Sequence, residues 1–406
     1  MNYKDDSKDL KTFLFKLRQK VGKGGERESK FKKKTDVFSR KSKTFLNKIY
    51  KIMENGSSWN PRIIHTILKE LPKGDHYEHI SQEVREKCEK LNTFHKYEFS
   101  LSPENEINHK INVYVCSTMS SQRLFPKIVN KIKCWIYTLF HYIERLCSPN
   151  INIYLYFTDH KKYLPESSNT IIDETHANTA FTFACNTVRS SNSIYIFRIE
   201  EWFKVLIHET FHTFGLDFSA KNQTKLNEII HSVFPVDNDP AFYETYSEVW
   251  AELLNAMFIT LKMKNPSQRI EKLENLVFYE SLFSQFQCAK ILDFMGIEYP
   301  QLWGKDAKSI ERRNKKYREN TNVMAYFIFK SAFFYKINDF VEWCIENNNN
   351  SLNFNGKNDV KFFKTLLKIY NQGDYIVTIE NMKKFITDNS NKNDFVFKTL
   401  RMSMNE

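Results

Sequence analysis

The sequence predicts an α+β protein in which helix predominates, and three observations lead to that class. Only 10 Gly and 10 Pro occur in 406 residues, too few turn-formers for an all-β sandwich. Between positions 111 and 199 lie four short runs rich in β-branched and aromatic residues, the first followed by a long amphipathic segment. From Glu200 onward the apolar residues recur mainly at helical spacing. With 41% hydrophobic and 27% charged residues the composition is that of a globular chain.

Taken in order, residues 1–45 carry 15 Lys and Arg against 6 Asp and Glu, are Gly-spotted, and read as a flexible basic arm. The remaining chain holds 45 basic against 42 acidic residues, so the body need not bind nucleic acid. The arm itself suits an anionic surface or a polyanion such as nucleic acid, or serves as a solubilising tail. Residues 46–110 read as a helical N-terminal region. INVYVCST (111–118) is a buried-strand pattern, and Gln122–Cys147 is an amphipathic helix. Three further strands are expected at Ile151–Asp159, Asn178–Asn186 and Ser193–Ile199. EEWFKVLIHETFHTFG (200–215) is a helix, with Glu200 and Glu201 suited to its first turn and Gly215 to its end. Pro240 opens another helix, AFYETYSEVWAELLNAMFITL. A catalytic core over 111–262 and a helical C-terminal region over 263–406 complete the division, without internal repeats.

The seven cysteines are dispersed and form no C-x-x-C pair. They are expected to be thiols of a reducing, cytoplasmic compartment, or of a virion if a virus encodes the chain. The N-terminus lacks the apolar stretch of a signal peptide, and charges interrupt every apolar run before it could span a bilayer, so no membrane insertion is expected.

The chemistry concentrates in His208-Glu209-Thr210-Phe211-His212. Positions i and i+4 share a helix face about 5–6 Å apart, so two imidazoles can hold one tetrahedral metal. Glu209 is placed to act on a metal-bound water as general base. A third histidine ten residues after the first would close a three-His site, but Phe218 occupies that position, although Gly215 fits the pattern. Asp217 reads as a loop or cap residue, and His231 is a rival ligand. The favoured third ligand is a carboxylate of the next helix, where Glu244, Glu248 and Glu252 stand at i, i+4 and i+8. Like charges at that spacing repel, and no Lys or Arg lies between Lys225 and Lys262. That stretch implies an external cation, zinc, unless the acids form a solvated face opposite Tyr246, Val249, Trp250, Leu253 and Met257.

HETFHTFG followed by ETYSEVWAELLNAMF resembles the zincin metallopeptidases of the gluzincin type. The Glu248-Val-Trp-Ala-Glu252 element is similar to that of the anthrax lethal factor catalytic domain. The resemblance covers roughly Asn112–Thr260 and implies one Zn2+ per chain, held by His208, His212 and Glu248. It also implies that Glu252 orients a ligating imidazole, that Glu209 is the catalytic base, and that Asn178–Asn186 is the strand pairing with an extended peptide substrate. Tyr243 and Tyr246 are candidates to stabilise the oxyanion, with packed aromatic residues as the alternative. The expected function is therefore a zinc-dependent metallopeptidase. The alternative is a catalytically silent zincin-fold structural or packaging protein whose basic arm associates with nucleic acid. The Lys, Asn, Ile, Phe and Tyr bias would suit an AT-rich genome such as that of some large DNA viruses or protist parasites.

Overall fold

Period-two apolar patterns build the centre of the molecule. In a computed structural model of the chain, the structure describes residues 12, 36–101, 109–118, 124–144, 147, 149–185, 190–389 and 395–405. Six strands form one mixed sheet in the order β1-β2-β3-β4-β7-β6. These are β1 (Ile64–Leu68), β2 (Thr93–Leu101), β3 (His109–Ser117), β4 (Asn150–Tyr156), β6 (Ala180–Thr182) and β7 (Ser191–Ile196). β3, β4 and β7 run parallel, whereas β1, β2 and β6 pair antiparallel with their neighbours. A two-stranded parallel ladder joins β5 (Ile172–Asp173) to β8 (Glu319–Asn320).

Alternation gives the sheet two unlike faces. Ile111, Val113, Val115, Ile151, Ile153, Leu155, Ile194 and Ile196 point into the main core. The other face carries a row of stacked rings, Tyr114 on Tyr154, Tyr154 on Tyr195 and Tyr195 on Phe181, with centroids 4.5, 4.9 and 4.8 Å apart. Ile80, Val84 and Leu91, around the short helix α2 (Gln82–Cys88), cover that face. The main core is closed by α1 (Arg40–Ser58), α3 (Phe125–Phe140), the site helix and the long helices after it.

The expected strands over 111–199 are all present; the first starts two residues earlier, at His109, and the other three are shorter, with Asn186, the last residue of the expected third strand, outside the described residues. Helix α3 is also shorter than the expected Gln122–Cys147 segment. Two expectations for the N-terminal part need correction. The basic arm lies almost wholly outside the described residues, but its last part is folded. Ser39 caps α1, its Oγ accepting a hydrogen bond from Ser42 N at 3.2 Å, and Phe38 and Phe45 are buried. Residues 46–110 are not simply helical, because β1 and β2 form an antiparallel pair there. β2 alternates cleanly, burying Tyr97, Phe99 and Leu101, whereas β1 is an edge strand that leaves Ile64 and Ile67 exposed and so carries little pattern. The chain after Lys262 is helical, beginning with Pro266–Met295. Among the described residues no helix is long and apolar enough to cross a membrane.

Candidate metal centre

The sequence WFKVLIHETFHT sets Lys, Glu, two His and two Thr among six apolar residues, yet it forms a helix buried almost all round, α5 (Trp202–Thr213). Its start differs from expectation. Glu201 occupies the N-cap with a left-handed φ of 59°, and both Glu200 and Glu201 are buried rather than displayed in a solvated first turn. The Glu201 carboxylate accepts hydrogen bonds from Ser403 N at 2.6 Å and Met402 N at 3.1 Å, and pairs with Lys162 Nζ at 2.8 Å. Helix α5 ends where expected: Gly215 takes φ 65°, and a Cβ there would lie 3.0 Å from Cys185 Cβ. Cys185 is disulfide-bonded to Cys147, which corrects the expectation of seven thiols, and Cys185 N donates to His212 O at 2.8 Å. The other five cysteines are buried and free.

Two helices bring the donors together: α5 and α7 (Phe242–Thr260). His208 and His212 face each other with their Nε2 atoms 3.1 Å apart. Between them sits Glu244, whose Oε2 is 2.9 Å from His208 Nε2 and 3.2 Å from His212 Nε2. Among the described residues this is the one group of three His, Cys, Asp or Glu side chains with ligand atoms close enough to share an ion. Each carboxylate oxygen and ring nitrogen is of the kind that zinc binds.

The remaining faces of the imidazoles are held by other acids. His208 Nδ1 lies 2.8 Å from Glu248 Oε2, a close ion-pair contact that is not aligned as a hydrogen bond. His212 Nδ1 is hydrogen-bonded to Asp217 Oδ2. Asp217 is itself fixed, accepting from Ser219 N at 3.0 Å, Ser219 Oγ at 2.6 Å and Ser247 Oγ at 3.0 Å. A carboxylate behind a ligating imidazole fixes the ring and raises its basicity.

Glu248, the ligand expected from sequence, is therefore placed differently. One turn further along α7 than Glu244, it contacts the Nδ1 side of His208, away from the shared Nε2 edge. Its Oε1 accepts from Lys204 Nζ at 2.6 Å, and both side chains are almost fully buried. Glu252, expected to orient an imidazole, pairs instead with Lys330 Nζ at 2.6 Å. The stretch without Lys or Arg thus has its answer in two lysines from outside it. Lys204 serves Glu248, Lys330 serves Glu252, and Glu244 alone faces no fixed cation. Its neighbours are the two imidazoles and, at 3.4 Å, Asn322 Nδ2.

Electrostatics follow the same pattern. Burial alone would lower the pKa of His208, but the Glu244 and Glu248 carboxylates overcome it and hold it up at about 9. His212 is pushed up well above its ordinary value against the same burial penalty, by Asp217 and Glu244. Glu244 falls to about 2, because His212 and His208 outweigh its desolvation. The site is a buried anionic pocket that draws positive charge onto the rings. Glu209 is pushed upward by burial, with His208 and His212 opposing. Its carboxylate makes no hydrogen bond among the described residues and lines a cavity with His208, Lys204, Ala180, Tyr326 and Met402. That cavity holds about 30 Å³, room for a small number of water molecules.

The two expected oxyanion residues do not line this cavity. Tyr246 is buried with its hydroxyl donating to Leu352 O at 2.8 Å and accepting from Asn348 Nδ2 at 3.0 Å. Tyr243 packs edge-on against His212 with ring centroids 5.8 Å apart. Tyr326 does line the cavity, with its ring centroid 5.9 Å from that of His208, and it is carried on the π-helical stretch Met324–Phe329. π-helical segments of this kind are frequent at functional sites. His231, the rival ligand, pairs with Asp239 at 3.0 Å instead.

Sequence reasoning thus missed Glu244 as the converging acid, Asp217, Lys204 and Tyr326. Lys204 carried a usable signal, being a lone cation four residues before His208 in an apolar helix. Tyr326, more than a hundred residues away, carried none. Comparison with known protein families, curated proteins and solved structures returns no match for this chain.

Proposed function

We propose that the protein is a zinc-dependent metallopeptidase of the gluzincin type, with His208, His212 and Glu244 as the ligands. The observation that carries this is the convergence of those three donors within 3.2 Å, with a carboxylate behind each ring and Glu209 beside them. Such a donor set with three protein ligands fits a catalytic rather than a closed structural zinc. When bound, the ion would act as a Lewis acid and lower the pKa of a water to about 7. Glu209 then accepts a proton from water and returns it to the leaving amine. Burial keeps that carboxyl's pKa above its ordinary value, which favours such two-way transfer. Tyr326 donates its hydroxyl to the carbonyl oxygen as charge develops there. Glu248 and Asp217 hold the rings, and Lys204 holds Glu248.

The peptide would be bound along β6. The antiparallel ladder and the Phe197 N to Thr179 O bond set the alternation, so that Phe181 faces β7 with both its backbone groups. The N–H and C=O of Ala180 therefore point away from β7, toward the open edge. The test is hydrolysis of a denatured protein such as casein by zinc-loaded protein, followed by mass spectrometry. Cleavage by the wild type, lost in Glu209→Gln with zinc retained, supports the reading. Zinc-loaded, folded wild type that cleaves nothing contradicts it.

A further inference from the structure

A second and larger cavity, of about 330 Å³, lies on the opposite face of the sheet edge. Its walls are apolar at Ile80, Val84, Phe181, Phe183 and Phe197 and polar at His79, Ser81, Glu174 and Thr175, and its lining also includes Asn178 and Ala180. Those same two residues line the small cavity beside His208 and Glu209. The two cavities thus meet across one strand, β6. Alternation decides which side chain faces which: Ala180 borders the Glu209 cavity, and Thr182 Oγ1 contacts Thr213 Oγ1 of the site helix at 2.9 Å. Phe181 points the other way, stacking on Tyr195 at 4.8 Å, and Phe183 stands 6.3 Å from it by ring centroids.

A strand added to the outer edge of β6 obeys the same period of two. Side chains on one face of that added strand lie toward His208 and Glu209, and those next to them in sequence lie over the larger cavity. Added strands take affinity from the backbone ladder and selectivity from pockets for alternate side chains. Three Phe rings with Ile80 and Val84 form the apolar part of the cavity, His79, Ser81, Glu174 and Thr175 its polar part, and its volume falls in the range that holds a sizeable ligand group.

We infer that this cavity is a specificity pocket for one bulky apolar or aromatic side chain of an extended peptide lying along β6. The proposal rests on the peptidase reading only for the claim that the peptide is a substrate; the pocket itself is read from the edge strand and the cavity. Ser81 sits at the N-cap of α2 and makes no capping bond through its side chain, so Ser81→Trp fills the cavity without removing a cap. Phe183→Ala removes one wall instead.

The experiment selects twelve-residue peptides from a random phage library on immobilised, zinc-loaded, full-length Glu209→Gln protein. Enriched peptides are expected to share Phe, Tyr, Trp, Leu or Met at one fixed position. Replacing that residue by Ala, or introducing Ser81→Trp or Phe183→Ala into the protein, should each weaken binding on the order of tenfold. A thermal melt by circular dichroism checks that each variant is folded. Selection of no peptide, no enriched bulky position, or binding unchanged in both folded variants overturns the inference. Turnover of the selected peptides by wild-type protein is scored separately. Peptides that bind through the pocket but are never cut leave the pocket standing and sink the peptidase reading. Peptides cut equally well with Ala at that position do the reverse.

Discussion

Glu244 and Glu248 lie one turn apart on α7, and replacing each by Gln should produce opposite phenotypes. In Glu248→Gln the carboxylate 2.6 Å from Lys204 Nζ disappears, and Lys204 keeps only 2% of its side-chain surface exposed. Orphaning one member of a buried ion pair costs about 3–5 kcal/mol. Glu201 and Glu252 also act on Lys204, which places the expected loss near the lower end, about 3 kcal/mol. His208 loses the acid behind its Nδ1, an effect worth roughly 10–100-fold in metal affinity. In Glu244→Gln no lysine is orphaned, and without metal the imidazoles that Glu244 holds protonated can release their protons, so stability without metal should fall by less than in Glu248→Gln. The loss there is a ligand. Zinc sites bind with about 10–16 kcal/mol shared over their ligands, so removing one should weaken affinity roughly 100–1000-fold. Urea unfolding in chelator and zinc competition against a chromophoric chelator measure the two quantities separately. Wild-type zinc affinity in Glu244→Gln, with the greater loss in Glu248→Gln, would refute the assignment of the two acids.

Four further outcomes are expected. Glu209→Gln should bind zinc within about threefold of wild type by the same competition titration while hydrolysis falls at least 100-fold, the usual scale of general-base catalysis. Asp217→Asn should weaken zinc binding roughly 10–100-fold, because the ring of His212 loses its carboxylate partner while Ser219 and Ser247 remain to hold the amide. Cys147→Ser opens a loop of 38 residues by sequence separation, and chain entropy puts the loss at about 2–4 kcal/mol, read as a lower urea midpoint. Glu319 has its carboxyl pushed up to about 8 by burial, against hydrogen bonds from Tyr317, Met324 and Asn238. A folded-state pKa above the unfolded one means that this contribution is full below pH 4.5 and is lost as pH rises through about 8. The residue keeps some solvent contact, so the effect should stay below about 4 kcal/mol. The urea midpoint should decline between pH 5 and 9 in wild type, and less steeply in Glu319→Gln.

What the sequence displayed was what local pattern can encode. The buried-strand runs INVYVCST and SIYIFRI, and the helical spacing of apolar residues in α5 and α7, matched the strands and helices they became. The His208-Glu209-His212 spacing followed from one helical period. The choice among Glu244, Glu248 and Glu252 could not be made that way, because all three share one face of α7 and differ only in what stands opposite. Lys204 and Lys330 decide it, and Lys330 lies 78 residues from Glu252. Strand β1 escaped notice because its side chains are mostly solvent-exposed on both faces, which erases the two-residue period. The Cys147–Cys185 bond joins residues whose spacing follows no motif. Glu201 looked like a favourable first-turn acid, yet the backbone that it accepts from, at Met402 and Ser403, arrives from two hundred residues away.

Diffraction above the zinc absorption edge, from crystals grown with one equivalent of zinc, tests the central claim most directly. The account predicts a single anomalous peak about 2.0–2.2 Å from His208 Nε2, His212 Nε2 and a Glu244 oxygen, with Glu248 still paired to Lys204. A peak ligated by Glu248 with Glu244 turned away, or no peak between the two rings, would contradict it.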